Sequence, residues 1–119
     1  MRFVRGKNKR SDGLGRVLGR AYFPQYGGDI FFDDEENWSL DFYPHDGKTN
    51  LLIVAIHELG HALGLDHSQK NTALMTSKGA SRKLGEVRLD IDDVLAIQAL
   101  YGAPGQPRPQ VENIMDVVI

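Results

Sequence analysis

The segment from His57 to His67 constrains this 119-residue chain more than any other part of it. The segment reads HELGHALGLDH, which is the pattern H-E-x-x-H-x-x-G-x-x-H. Residues four apart share one face of a helix, so His57 and His61 can direct both imidazoles at one point. Gly64 can adopt the left-handed backbone conformation that ends a helix, and the resulting turn can bring His67 to the same point.

Three histidines that leave one position open predict a catalytic zinc site and not a closed structural one. Glu58 directly follows the first histidine, where its carboxylate can activate a water at the metal. The alternative interpretation is a buried amphipathic helix whose histidines are merely hydrogen-bonded. The extended motif favours the metal site, because its glycine and third histidine stand at fixed offsets. Three of the four histidines of the chain lie in this motif.

The motif and the residues after it resemble the metzincin metalloproteases, and among them the matrixins, or matrix metalloproteinases. Ser68 directly follows the third histidine, and Ala73-Leu74-Met75 comes after it. Met75 stands where the family has its Met-turn methionine, which underlies the zinc without binding it. The resemblance runs from about residue 12 to residue 102.

The resemblance implies an α/β fold: a zincin-like metzincin catalytic domain with a small twisted mixed sheet, an active-site helix and a C-terminal helix. It implies that residues 1–102 form this domain without the helix and strands that precede Met1 in the family. Residues 103–119 are expected to be a proline-rich linker and tail.

The residue pattern also predicts individual elements. Strands are expected at residues 16–23 and 30–32, and helices at about 50–63 and 90–101. Thr49 or Asn50 can cap the first helix, and residues 51–56, apolar nearly all round, should be buried. Asp90, Asp92 and Asp93 lie in the first turn of the last helix, where acids suit its dipole. Asp92 and Asp93 can also cap this helix, and the resemblance implies that the matching acids anchor buried contacts near the active site. Residues 1–11 are expected to be irregular and exposed, and residues 39–50 and 68–88 to be mostly loop.

A second metal site is implied by the resemblance. Matrixins hold a structural calcium between a glycine-rich loop and an F-D-x-x-E segment, and Phe32 to Glu36 matches that segment. Calcium takes six to eight oxygen ligands. The implied ligands are the carboxylates of Asp12, Asp33 and Glu36 and the backbone carbonyls of Gly13, Gly15 and Val17. Asp29 matches a ligand of a second matrixin calcium. Arg20 and Phe31 stand where the family has histidines of a structural zinc, so we expect one zinc per chain.

The resemblance implies a zinc-dependent endopeptidase that hydrolyses extended protein or peptide substrates of the extracellular-matrix type, with Glu58 as the base. Substrate would pair with an edge strand from Val17 to Tyr22, which includes Leu18 and Gly19. Ile53 matches the position that sets the depth of the S1′ pocket. Residues 76–79 read Thr-Ser-Lys-Gly in place of the Tyr-Pro-x-Tyr of the family, so a loose preference is expected.

Composition limits the remaining function classes. The longest apolar run has six residues, too short to cross a membrane. No apolar segment typical of a signal peptide is visible at the N-terminus, although the resemblance implies an extracellular or secreted protein. There is no cysteine, so disulfides are excluded. We expect a monomer.

Two alternatives to the protease remain open. One is a pseudoprotease that holds zinc and peptides without turnover. The other is an interaction module that uses the basic residues 1–20, which hold seven Lys and Arg and leave the rest of the chain near −8. Few aromatic residues and no nucleic-acid motif accompany them, so a solvated loop and no nucleic-acid partner are expected.

Overall fold

The computed structural model describes residues 1–5, 17–41, 47–77 and 87–105. These ranges contain short strands followed by two helices: β1 (Arg2–Val4), β2 (Gly19–Ala21), a 3-10 turn (Pro24–Tyr26), β3 (Ile30–Asp33), β4 (Trp38–Ser39), β5 (Thr49–Asn50), α1 (Leu51–Ala62) and α2 (Ile91–Tyr101). The small mixed sheet and two helices confirm the expected α/β fold. Both helices begin and end within one residue of their predicted positions, whereas β2 is shorter than the predicted strand.

β3 is the centre of the main sheet. The strand order is β1-β3-β2, and β3 runs parallel to β1 and antiparallel to β2. Every residue of β3 is buried. α1 packs against β2 and β3, and Ile30, Phe32 and Val54 form a core cluster between the sheet and the helix. β2 therefore lies at the edge of the described sheet and beside the helix that carries the motif.

The N-terminal residues differ from the prediction. Arg2–Val4 were expected to be irregular but form β1, whose Phe3 packs its ring against Phe32 at 5.3 Å and Trp38 at 6.4 Å. The Arg2 guanidinium lies over the Phe31 ring, and Arg5 forms an ion pair with Asp34. Three residues are too few for a strand pattern to show in the sequence. Part of the basic segment thus contributes to the sheet.

Asn50 caps the N-terminus of α1, and its side-chain oxygen accepts a hydrogen bond from the Ile53 N–H at 3.1 Å. Of the two predicted caps, Asn50 is therefore the one used. The prediction that residues 51–56 are buried all round is wrong for two of them, because Leu52 is 45% exposed and Ile56 38% exposed. Apolar content predicted that the helix is buried, but only packing decides which of its faces are covered. No helix in the described ranges is long and apolar enough to span a bilayer.

α2 is fixed to the loop that follows the histidine motif. Asp90 caps the helix and forms a reciprocal capping box with Asp93. The Asp90 carboxylate also accepts hydrogen bonds from Lys70 and Thr72, which hold its pKa well below the usual range, the bond from Thr72 contributing most. Asp92 instead accepts a hydrogen bond from the Ser68 hydroxyl. A second core cluster, formed by Leu65, Met75 and Leu100, joins this loop to α2.

Candidate metal centre

The histidine side chains of the motif meet at one point. His57 Nε2 lies 3.2 Å from His61 Nε2 and 3.2 Å from His67 Nε2. One ligand atom from each ring lies within 4.8 Å of the other two, and these histidines form a group that could hold a metal in the described part of the chain. Two nitrogens on a tetrahedral zinc are about 3.3 Å apart when each bond is about 2.0 Å long. The spacing of the rings therefore fits a zinc ion.

In His57 and His61 the second ring nitrogen, Nδ1, is hydrogen-bonded to a backbone carbonyl oxygen. His57 Nδ1 lies 3.0 Å from the Leu74 carbonyl oxygen, and His61 Nδ1 lies 2.7 Å from that of Leu65. A carbonyl oxygen only accepts, so each Nδ1 carries the proton and each neutral ring presents a bare lone pair at Nε2. Burial lowers the pKa of both histidines and favours this neutral form. Two lone pairs that face each other at 3.2 Å repel unless a cation lies between them.

Two glycines shape the chain around the rings. Gly64 has a φ of 111°, so it supplies the predicted left-handed turn between the helix and His67. Gly60 lies against Met75, because a Cβ at position 60 would stand 2.3 Å from the Met75 sulfur. Met75 is only 4% exposed. It thus packs against α1 at the residue that precedes His61.

We expect Gly60→Ala to lower the free energy of unfolding by about 1–3 kcal/mol, because the added methyl group overpacks the contact with Met75. In a Met75→Ala background the collision is gone, and the same change should be neutral or stabilising, since alanine is the better helix former by about 0.5–1 kcal/mol. Urea unfolding of the four chains measures both effects. An equal cost of Gly60→Ala in the two backgrounds would show that Met75 is not the obstacle.

Glu58 is the buried acid of the site. It is 7% exposed, and burial raises its pKa to about 7. A Cβ at Gly19 would lie 3.3 Å from the Glu58 Cγ, so the absence of a side chain on β2 leaves room for the glutamate. A carboxyl group with a pKa near neutrality can both take and return a proton at physiological pH.

In the metal-free chain, Glu58 should make folding less favourable as the pH rises from about 5 to about 8. The folded state binds the proton of Glu58 more tightly than the unfolded state, so ionisation costs stability across this window. His57 and His61 have the opposite effect. Their pKa values are lowered in the folded state, so the loss of their protons as the pH rises makes folding more favourable. Comparison with Glu58→Gln isolates the first effect. Urea unfolding with a chelator should show the parent losing on the order of 1–3 kcal/mol relative to the variant; a constant difference would contradict it.

A cavity of about 320 Å³ opens beside the histidines. Its lining includes Leu18 and Gly19 from the edge-strand segment and Ile53 from α1, together with His57 and Glu58. The residues predicted to contact substrate therefore border the same space as the candidate metal ligands. Thr76 and Ser77, which differ from the matrixin pattern, also line this cavity.

The predicted calcium ligands lie partly outside the described residues. Asp12, Gly13 and Gly15 are among the residues that are not described, whereas Asp33 and Glu36 are buried at the end of β3. One Asp33 carboxylate oxygen accepts the Glu35 N–H at 2.9 Å. Val17 and Asp29 are exposed. Arg20 and Phe31, at the positions of the family's structural-zinc histidines, are direct partners in the β2–β3 register.

Sequence reasoning missed the groups that orient the rings. The carbonyls of Leu65 and Leu74 carry no signal in a motif, since every residue has a carbonyl. For Asp93 the resemblance implies a buried contact near the active site, but it does not say which groups the carboxylate binds. It is 5% exposed, and its carboxylate accepts hydrogen bonds from the N–H groups of Leu74 and Met75. Only the packing of α2 against this loop reveals that role.

Comparison with known proteins agrees with this geometry. The family model of the matrixins, a group of M10 peptidases, matches residues 1–102. Matrix metalloproteinase-16 of Homo sapiens is 43% identical over 114 residues, which cover 94% of this chain and 19% of the relative. Macrophage metalloelastase of Oryctolagus cuniculus is 44% identical over 106 residues, covering 86% and 22%.

Stromelysin-1 of Equus caballus is 50% identical over 100 residues, which cover 78% of this chain and 19% of the relative. The chain thus spans about a fifth of the length of these relatives. The match of the family model covers both helices, the sheet and the histidine motif. The chain therefore belongs to the matrixin family.

Proposed function

We propose that the chain is a zinc-dependent endopeptidase that hydrolyses peptide bonds in extended protein substrates. The observation that carries this proposal is the convergence of three imidazole Nε2 atoms, two of them held as acceptors by backbone carbonyls, next to a buried glutamate. His57, His61 and His67 would hold the zinc. When bound, zinc would supply Lewis-acid polarisation of the scissile carbonyl and acidify a water.

Glu58 is the general base and acid of the proposed reaction. Its carboxylate removes a proton from the attacking water and returns it to the leaving amine. Its raised pKa in the metal-free chain places the proton affinity of the carboxyl group near neutrality. A nearby divalent cation would lower that value and favour the ionised base at the start of the reaction.

The substrate is proposed to lie along β2 as an added strand, since β2 is at the edge of the described sheet. Leu18 and Gly19 would contact its backbone, and Ile53 would border the pocket for the side chain after the cleaved bond. The cavity lining supports this assignment. Thr76 and Ser77 add hydroxyl groups to the wall, which is consistent with a loose side-chain preference.

We propose that the chain binds one catalytic zinc ion and structural calcium. Asp33 and Glu36 support the calcium site, because they are two buried carboxylates three residues apart and carboxylate oxygens are the ligands that calcium takes. The remaining proposed ligands are Asp12 and the carbonyls of Gly13, Gly15 and Val17, and Asp29 is proposed for a second calcium.

Residues 1–102 are proposed to form the catalytic domain and residues 103–119 a linker and tail. We further propose that the chain acts as a monomer in the extracellular space on matrix proteins. The names of two relatives, a matrix metalloproteinase and a metalloelastase, support this substrate class.

A quenched fluorescent peptide assay tests the proposal directly. The zinc-loaded chain should cleave the peptide, a chelator should stop the cleavage, and added zinc should restore it. Cleavage that persists in the chelator would rule out a metal-dependent reaction. Calcium should be kept constant throughout, so that loss of zinc is the variable.

A second candidate function is a zinc-binding chain that holds peptides without turnover. The hydroxyl-bearing wall at Thr76 and Ser77 and the exposed Leu52 and Ile56 of α1 favour it, because they mark a modified pocket and an incompletely covered helix. In the same assay this chain would bind zinc and peptide with no cleavage above background.

A further inference from the structure

One peptide group connects the first histidine of the motif to α2. The Leu74 carbonyl accepts the Nδ1–H of His57 at 3.0 Å. The N–H at the other side of the same peptide group belongs to Met75, and it donates to Asp93 Oδ1 at 3.2 Å. The peptide between residues 74 and 75 therefore has a carboxylate on its donor side and an imidazole on its acceptor side.

The position of the Asp93 carboxylate is fixed. Its Oδ2 accepts the Leu74 N–H at 2.9 Å and the Asp90 N–H at 2.9 Å. Three backbone donors thus converge on a side chain that is 5% exposed. Hydrogen bonds to an ionised acceptor are about twice as strong as neutral ones, so this arrangement holds the loop firmly against α2.

A carboxylate on the N–H of a peptide group increases the negative charge on the carbonyl oxygen of that group. Linked hydrogen bonds strengthen one another by about 10–30% per bond. The stronger acceptor keeps the proton on Nδ1 of His57 and leaves Nε2 as the basic atom. Metal-bound histidines commonly receive this support from a carboxylate in direct contact. Here the support passes through one peptide group.

We propose that Asp93 is a positioning residue for the zinc site: acting through the 74–75 peptide group, it fixes the tautomer and the ring orientation of His57 and so strengthens zinc binding. The inference rests on the proposed function, because it concerns the same zinc. It adds a residue that lies on another helix and whose hydrogen bonds go to the backbone N–H groups of Leu74, Met75 and Asp90.

The test compares the zinc dissociation constants of the parent chain, Asp93→Asn and Asp92→Asn, measured by competition with a chromophoric chelator. Asp93→Asn should bind zinc about 10–100-fold more weakly, the range for loss of an outer partner of a metal ligand. Asp92 is the matched control, because it is the neighbouring acid on the same helix but bonds to Ser68 and not to this peptide. Its variant should bind zinc more tightly than Asp93→Asn does.

Nitrogen-15 spectra of the histidine rings separate this role from a merely structural one. In Asp93→Asn the His57 Nδ1–H signal should move to higher field, as in a weaker hydrogen bond, while that of His61 stays in place because Leu65 accepts it. Should Asp93→Asn not fold, amide exchange in the parent chain provides the second measurement. The Met75 N–H should be strongly protected, and unprotected exchange would overturn the inference.

Each outcome separates the two proposals. If the parent chain binds zinc and Asp93→Asn binds it equally well, the inference is overturned and the proposed function stands. Equal weakening in Asp93→Asn and Asp92→Asn would indicate a general effect of charge and would also overturn it. If the parent chain itself fails to bind zinc, the proposed function is overturned.

Discussion

Replacing Glu58 by glutamine should lower kcat for peptide cleavage by about 10²–10⁴-fold while the chain keeps its zinc. Glutamine has the size and shape of glutamate, so it fits the buried space beside Gly19. It cannot take a proton from water, however, and the reaction loses its base. The three histidines are unchanged. Steady-state kinetics and a zinc titration on the same preparation measure both quantities.

Glu35→Gln is the matched control for this change, because it removes the same charge from an exposed residue outside the cavity. Its kcat should equal that of the parent. Cleavage by Glu58→Gln at the parent rate would place the base elsewhere. Loss of zinc from Glu58→Gln would instead indicate that the glutamate helps to hold the metal.

Replacing His67 by alanine should abolish peptide cleavage and weaken zinc binding. The loss of zinc affinity should exceed about 10–100-fold, which is the range for removing a residue that only hydrogen-bonds a metal ligand. His67 comes from the loop after Gly64 and not from α1, so its removal leaves the helix and its two remaining histidines intact. Two ligands do not complete the set of three protein ligands that catalytic zinc sites use. A zinc titration followed by the peptide assay measures the effect.

His45→Ala serves as the control, since it removes the one histidine outside the motif. It should retain the zinc affinity and the activity of the parent. If His67→Ala binds zinc as tightly as the parent, the third ligand is not this histidine and the proposed coordination is wrong.

The site could be predicted from the sequence where local geometry decides the outcome. The spacing of His57 and His61 predicts a shared helix face, and Gly64 predicts the turn to His67; the structure contains both features. Both helices were predicted almost to the residue, because α1 has a capping asparagine and α2 a capping aspartate.

The rest depends on tertiary contacts that no local pattern contains. β1 was missed because the contacts that hold its three residues involve β3 and Trp38, about 30 residues away. The exposure of Leu52 and Ile56 was missed because apolar content does not show which neighbours are present. For Asp93 the resemblance implied a buried contact near the active site but not its partners, since its bonds to the Leu74 and Met75 amides span 19 and 18 residues.

X-ray absorption spectroscopy at the zinc edge, on the chain loaded to saturation and freed of excess metal, tests the proposed zinc site most directly. The coordination derived above predicts one zinc per chain, with three imidazole nitrogens at about 2.0–2.1 Å and a further oxygen. A zinc shell with fewer than three imidazoles, or a stoichiometry of two tightly held zinc ions, would contradict it.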